Sequence, residues 1–193
     1  MLRKNVTWII ASTLYMLIGW MPIAAANNSS SNYQLLTGTY AGFSLGVRDN
    51  YTSTPVFYKG VEGTLSLGFG GLLAPKWYLA IEGFVADNAS VNNYSNAGNS
   101  AKTTLNFGGS LIPGFMITDS LLGYIRASII GTNFSNQNVN QTGWQLGLGG
   151  ETVLCNDWSL RVEYIYSSYS SAVDGIGNPK ADQMNFGIVY RFG

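Results

Sequence analysis

From Thr39 to the C-terminus, apolar and polar side chains alternate by twos. The pattern is cleanest between Gly143 and Tyr166. There Trp144, Leu146, Leu148, Gly150, Thr152 and Leu154 share one face, and Gln145, Gly147, Gly149, Glu151 and Val153 share the other. After the polar Cys155-Asn156-Asp157, the alternation resumes with Trp158, Leu160, Val162, Tyr164 and Tyr166 against Ser159, Arg161, Glu163 and Ile165. Side chains of a strand point to opposite faces in turn, so the stretch predicts a hairpin with one oily face and one small, charged face.

The same pattern predicts six more strands. Thr39 to Arg48 sets Ala41, Phe43, Leu45 and Val47 against Tyr40, Gly42, Ser44, Gly46 and Arg48. Gly60 to Leu73, Trp77 to Ala86, Lys102 to Ile117, Leu121 to Ile130 and Asp182 to Phe192 follow it. Pro113 lies inside one of these runs and has no N–H for the ladder, which predicts a local bulge. The strands are of about ten residues, the length a tilted strand needs to cross a bilayer. Ala74 to Lys76, Thr118 to Ser120 and Cys155 to Asp157 read as short turns. Asp49 to Phe57, Asp87 to Ala101, Gly131 to Gln141 and Ser167 to Ala181 read as long polar loops. Strict alternation of short and long connections predicts an eight-stranded antiparallel up-and-down transmembrane β-barrel, with short turns and both termini on the periplasmic side.

The alternative is a soluble barrel that keeps its oily face inward around a ligand. Two features favour the membrane. Trp77, Phe115, Trp158, Tyr190 and Phe192 fall near the short-turn end of their strands and Trp144 near the long-loop end, as two aromatic girdles would. The face opposite the oily one also carries ions: Glu62, Glu82, Glu151 and Glu163, with Arg48, Lys102, Arg126, Arg161 and Arg191. Opposite signs nearly cancel there, as charges held away from water must be paired. If Cys155 to Asp157 is the whole turn, Glu151 and Arg161 face each other across the hairpin, and Glu82, Arg126 and Glu163 lie at similar height. Such a lumen reads either as a plug of ion pairs or as a gate whose pairs exchange to pass ions.

The N-terminus has a different pattern. Arg3 and Lys4 precede an apolar run from Val6 to Met21, and Pro22 and Ala24-Ala25-Ala26 follow. This reads as a secretory signal peptide, residues 1–26, cut after Ala26; an uncleaved membrane helix is the competing reading. Residues 27–38 form a polar periplasmic lead-in, in which Tyr33, Leu35 and Leu36 could tuck against the barrel mouth. The barrel takes residues 39–193.

Composition narrows the chemistry. The 193 residues include no histidine, which removes Ser-His-acid and Cys-His catalysis and the commonest metal ligand. One cysteine, Cys155, gives no disulfide framework and no thiolate cluster. Ten basic and ten acidic residues leave no basic stripe for nucleic acid. The expectation is therefore no catalytic residues, no metal, no cofactor and no nucleic-acid partner.

The Gly-rich strand, short turn and Trp158-Ser159-Leu160-Arg161-Val162-Glu163-Tyr164 make the Gly143–Tyr166 hairpin similar to that of the OmpA-like/opacity-type superfamily of small outer-membrane barrels. Phe186 to Phe192 resembles the closing strand read by the barrel-assembly machinery, with Gly193 added after the usual terminal Phe. The resemblance covers nearly all of Thr39 to Gly193. It implies a bacterial outer-membrane location, outer-membrane lipid around the wall, and engagement of the assembly machinery through the last strand. The leading functional expectation is a non-enzymatic barrel that displays four surface loops to host or other surfaces. The alternative is a narrow porin-like channel for ions or small solutes.

Overall fold

The computed structural model describes residues 36–51, 57–89, 103–134, 139–155, 157–170 and 180–192. They form eight strands: β1 (Gly38–Tyr51), β2 (Phe57–Ala74), β3 (Trp77–Ala89), β4 (Thr103–Met116), β5 (Leu121–Phe134), β6 (Val139–Cys155), β7 (Trp158–Tyr169) and β8 (Lys180–Phe192). Each pairs antiparallel with its neighbours in the sequence, and β1 closes the barrel on β8, with Thr39 opposite Phe192. Closure leaves no sheet edge, so every strand has a ladder on both sides.

Alternation decides which side chain goes where. Leu65, Leu67 and Phe69 of β2, Leu146 and Leu148 of β6, and Phe186 and Ile188 of β8 are exposed on the outside. Arg48, Glu62, Glu82, Arg126, Glu151 and Arg161 are buried inside. An oily exterior around a charged interior is stable only where hydrocarbon, not water, bathes the wall. The soluble reading would need the reverse assignment, which the burial excludes.

Seven of the eight strands are longer than the sequence pattern predicts; β4, at 14 residues, falls just inside the expected Lys102 to Ile117. They run from 12 residues in β7 to 18 in β2, rather than about ten. The period marks only the oily part that spans hydrocarbon. Beyond it the polar ends continue to pair: Asp49 with Lys59, Tyr51 with Phe57, and Asn133 with Asn140. Unmade backbone hydrogen bonds are costly and polar side chains do not prevent a ladder, so pairing outruns the hydrophobic pattern. The expected loops shrink accordingly. Asp49 to Tyr51, Asp87 to Ala89, Gly131 to Phe134, Val139 to Gln141, Ser167 to Tyr169 and Lys180 to Ala181 are all strand. The β5–β6 connection, 135–138, is no longer than the 117–120 turn, so connection lengths do not alternate strictly.

Pro113 does not make the expected bulge. On the β3 side it stays in register, opposite Leu79. On the β5 side, pairing skips Ile112 and Pro113 and resumes at Gly114 opposite Tyr124, in phase with Leu111 opposite Ala127. Both skipped pairs are ones in which an N–H of residue 113 would donate to β5. The missing donor interrupts the ladder without shifting it. The register shift between these strands lies instead between Thr103 and Asn106.

The short turns knit the barrel's closed end. Lys76 turns the chain after Pro75 with a left-handed φ of 71°. The Met116 amide donates to the Lys76 carbonyl (2.8 Å), and the Val153 amide to the Ser120 carbonyl (3.0 Å). Thr118 Oγ1 accepts from the Leu121 amide at 3.1 Å.

Candidate functional site

The inward side chains fill the lumen in layers. At the short-turn end lies an apolar cluster of Leu36, Tyr40, Tyr78, Ala80, Ile112, Met116, Leu122, Tyr124 and Val189, with Leu72 and Val153 against it. Charged groups come next. Arg191 Nη1 meets Glu151 Oε1 at 2.6 Å, and Glu151 Oε2 meets Arg161 Nη2 at 2.9 Å. Arg161 Nη1 meets Glu82 Oε2 at 2.6 Å, and Glu82 Oε1 meets Arg126 Nη1 at 2.8 Å. Arg126 Nη2 meets Glu163 Oε1 at 2.7 Å. The result is a single chain, Arg191–Glu151–Arg161–Glu82–Arg126–Glu163, in which signs alternate and charge sums to zero. No member is more than 6% exposed.

Register and stagger assemble this chain. Glu151 and Arg161 are direct partners across the β6–β7 hairpin, joined also by an Arg161 Nε bond of 3.1 Å. Glu82, Arg126 and Glu163 come from β3, β5 and β7, which are not neighbours, and meet across the lumen. Hydroxyls complete the coordination. Tyr40 donates to Glu82 (3.0 Å) and Tyr124 to Glu163 (2.8 Å). Ser110 accepts from Arg126 (2.8 Å) and Ser159 from Arg191 (2.9 Å). The Arg161 guanidinium lies 5.2 Å from the Tyr40 ring centre and 5.7 Å from that of Tyr124.

A second group sits nearer the other end. Arg48 pairs with Glu62 at 2.8 Å and donates to the Tyr169 hydroxyl. Glu62 also accepts from Gln183 (2.6 Å) and Asn106 (3.2 Å). Between the two groups is a small cavity of about 30 Å³. Glu62 and Gln183 line it on one side, and Glu82, Arg126, Arg161 and Glu163 on the other.

Glycines make room for the aromatic rings. A Cβ on Gly68 would collide with the Tyr40 ring, and one on Gly149 with the Tyr124 ring. Each tyrosine lies across a glycine of the adjacent strand, so the bare backbone serves as a shelf for the ring.

Of the lumen residues expected from the sequence, Glu62, Glu82, Arg126, Glu151, Arg161 and Glu163 all face inward and are ion-paired. Glu62 belongs to the separate group with Arg48 rather than to the chain of six. Lys102 lies outside the described residues. The alternation puts Tyr40 on the inner face but gives no sign that it and Tyr124 bond the charges; Gly68 and Gly149 on neighbouring strands were the available signal. Asn106, Ser110, Ser159 and Gln183 were also missed as ligands of these groups. Outside, Trp77 packs on Phe115 (5.4 Å between centroids), and Trp158 on Tyr190 (4.9 Å), which packs in turn on Phe192 (5.2 Å). Trp144 packs on Tyr166 at 5.6 Å. Cys155, expected in a turn, is the last residue of β6 and is exposed. No cluster of three potential metal ligands occurs among the described residues.

A closed wall with an oily exterior and a filled, ion-paired lumen defines a small membrane-spanning barrel of the bacterial outer membrane, set in lipid. The chain belongs to the outer membrane protein beta-barrel domain family, whose model matches residues 12–192. Among solved structures it is similar to Neisserial surface protein A, with 16% identity, 81% of this chain and 98% of that one covered, and a TM-score of 0.56. It is also similar to Ail, the attachment invasion locus protein of Yersinia pestis, with 12% identity, coverage of 81% and 100%, and a TM-score of 0.50. At these identities the likeness is one of fold. A comparison with curated proteins gives no match.

Proposed function

We propose that the protein is a non-enzymatic, non-conducting outer-membrane barrel whose rigid wall presents the segments 52–56, 90–102, 135–138 and 171–179 at the cell surface for adhesive or structural contact. The observation that carries this reading is the filled lumen. An apolar layer closes the short-turn end, and above it Glu62, Glu82, Glu151 and Glu163 are each bonded to a guanidinium. A hydrated ion would have to break paired, buried charges to pass. The absence of histidine from the sequence supports a non-catalytic role. Residues 1–26 act as a signal peptide removed after Ala26, and β8 is the strand offered to the assembly machinery. The segments between strands are rich in Asn and Ser, side chains that suit adaptable polar contacts.

The channel reading rests on the cavity between the two charged groups. It ends at the Glu82–Arg126–Glu163 pairs, which favours the plug. Refolded barrel in a planar bilayer decides between them: the plug gives no unitary current, and reproducible steps of current would replace the display reading with the channel one. A version with residues 90–102 and 171–179 replaced by Gly/Ser should fold as the parent does and lose binding in a cell-adhesion assay. Undiminished adhesion would remove those segments from the role.

A further inference from the structure

Leu36 precedes the first strand, yet it is fully buried, one of the largest side chains with no solvent exposure. Its cluster includes Tyr40 of β1, Tyr78 of β3, Met116 of β4, Leu122 of β5 and Val189 of β8, with Leu72 of β2 and Val153 of β6 packed against it. Residues from so many strands surround one side chain only at the mouth of a closed barrel. Its neighbours stay with the wall, so only the leucine enters the mouth. Gly38 has φ of 121°, a conformation that L side chains rarely adopt, at the entry to β1. Thr37 is exposed and lies on the outer face against Gly71 of β2, its methyl 3.3 Å from where a Cβ would stand. Tyr33 and Leu35 lie outside the described residues.

We infer that Leu36 is a stopper seated in the short-turn mouth of the lumen. The pocket for Leu36 is complete only once β1 has closed on β8, so the stopper seats last. The stopper also covers the Arg191–Glu151 end of the charged chain. Water reaching that end would compete for the ion pair and loosen it.

The test is shielding of a buried probe. In a Cys155→Ser background, Met116→Cys places a thiol in the stopper's pocket. The barrel is folded in detergent, and folding is checked by the mobility of unboiled samples on a gel. Reaction with a charged thiol reagent should be slow with Leu36 in place and roughly ten-fold or more faster in Leu36→Ala, as local protection is lost. Leu36→Met should stay near the parent rate, and Gly38→Ala, which strains the bend, should approach Leu36→Ala. If Met116→Cys does not fold, Leu122→Cys probes the same layer. Equal rates in folded parent and Leu36→Ala would overturn the stopper. Conductance separates this from the filled-lumen reading. The ion pairs lie above the stopper, so Leu36→Ala should remain silent in a bilayer. Current through the parent would count against the plug and leave the shielding result standing.

Discussion

The alternating chain of six charges makes an ordering of mutational costs that a loose cluster would not. Its inner members have two partners of opposite sign and its end members have one. Glu82 bridges Arg126 and Arg161, but Arg126 keeps Glu163 and Arg161 keeps Glu151 when Glu82 is neutralised. Glu82→Gln therefore strands no guanidinium, and its amide oxygen can still accept from Tyr40. The cost is that of weakened charge-assisted hydrogen bonds, about 2 kcal/mol. Glu151→Gln is different, because Glu151 holds the ion pair that Arg191 makes in the chain, at 2.6 Å. A buried charge left without its partner costs about 3–5 kcal/mol. By the same logic, Arg126→Gln strands Glu163 and should cost more than Arg161→Gln, after which Glu82 keeps Arg126 and Glu151 keeps Arg191. The assay is equilibrium urea unfolding of barrel refolded into lipid vesicles, followed by fluorescence of the lipid-facing Trp77, Trp144 and Trp158. Equal costs for Glu82→Gln and Glu151→Gln, or the reverse order, would refute the linear chain. Wild-type stability in both would show that the pairs carry no net interaction.

Three further outcomes follow from the wall itself. Gly149→Ala places a methyl in the Tyr124 ring and should cost about 1–3 kcal/mol in the same unfolding assay, whereas Gly83→Ala, whose Cβ would come no nearer than 4.0 Å to the Leu67 carbonyl, should be near neutral. Pro113→Val restores a donor towards β5 and should slow amide hydrogen exchange of β4–β5 with a gain of about 1 kcal/mol; unchanged exchange would mean that the interruption has another cause. Lys76→Gly relieves a left-handed non-glycine residue and should stabilise by up to about 1 kcal/mol, read as a higher urea midpoint with unchanged slope.

Much of the molecule was legible because a strand has a period of two and a barrel has two unlike environments. That period assigns Phe43, Leu146 and Leu148 to lipid and Glu82, Arg126 and Arg161 to the interior. The turn at Cys155 to Asp157 was short enough to fix one register, so the Glu151–Arg161 partnership could also be read. Strand ends were not legible, because Asp49, Asn133 and Gln141 carry no oily pattern although their backbones pair. Pro113 was misread for a related reason. Composition marks the missing donor but not whether the ladder bulges or merely skips.

The sequence by itself thus determined the class: oily and ionic residues in strict alternation over eight segments admit a lipid-facing wall and a charged lumen. Tertiary structure decided what lies across that lumen. Glu82, Arg126 and Glu163 sit on strands that are not neighbours, so their contacts depend on how the closed sheet is staggered, which no local pattern encodes. The same holds for Leu36. Only closure of the barrel creates a dry mouth, and only there does one leucine from a polar lead-in find a place to bury itself.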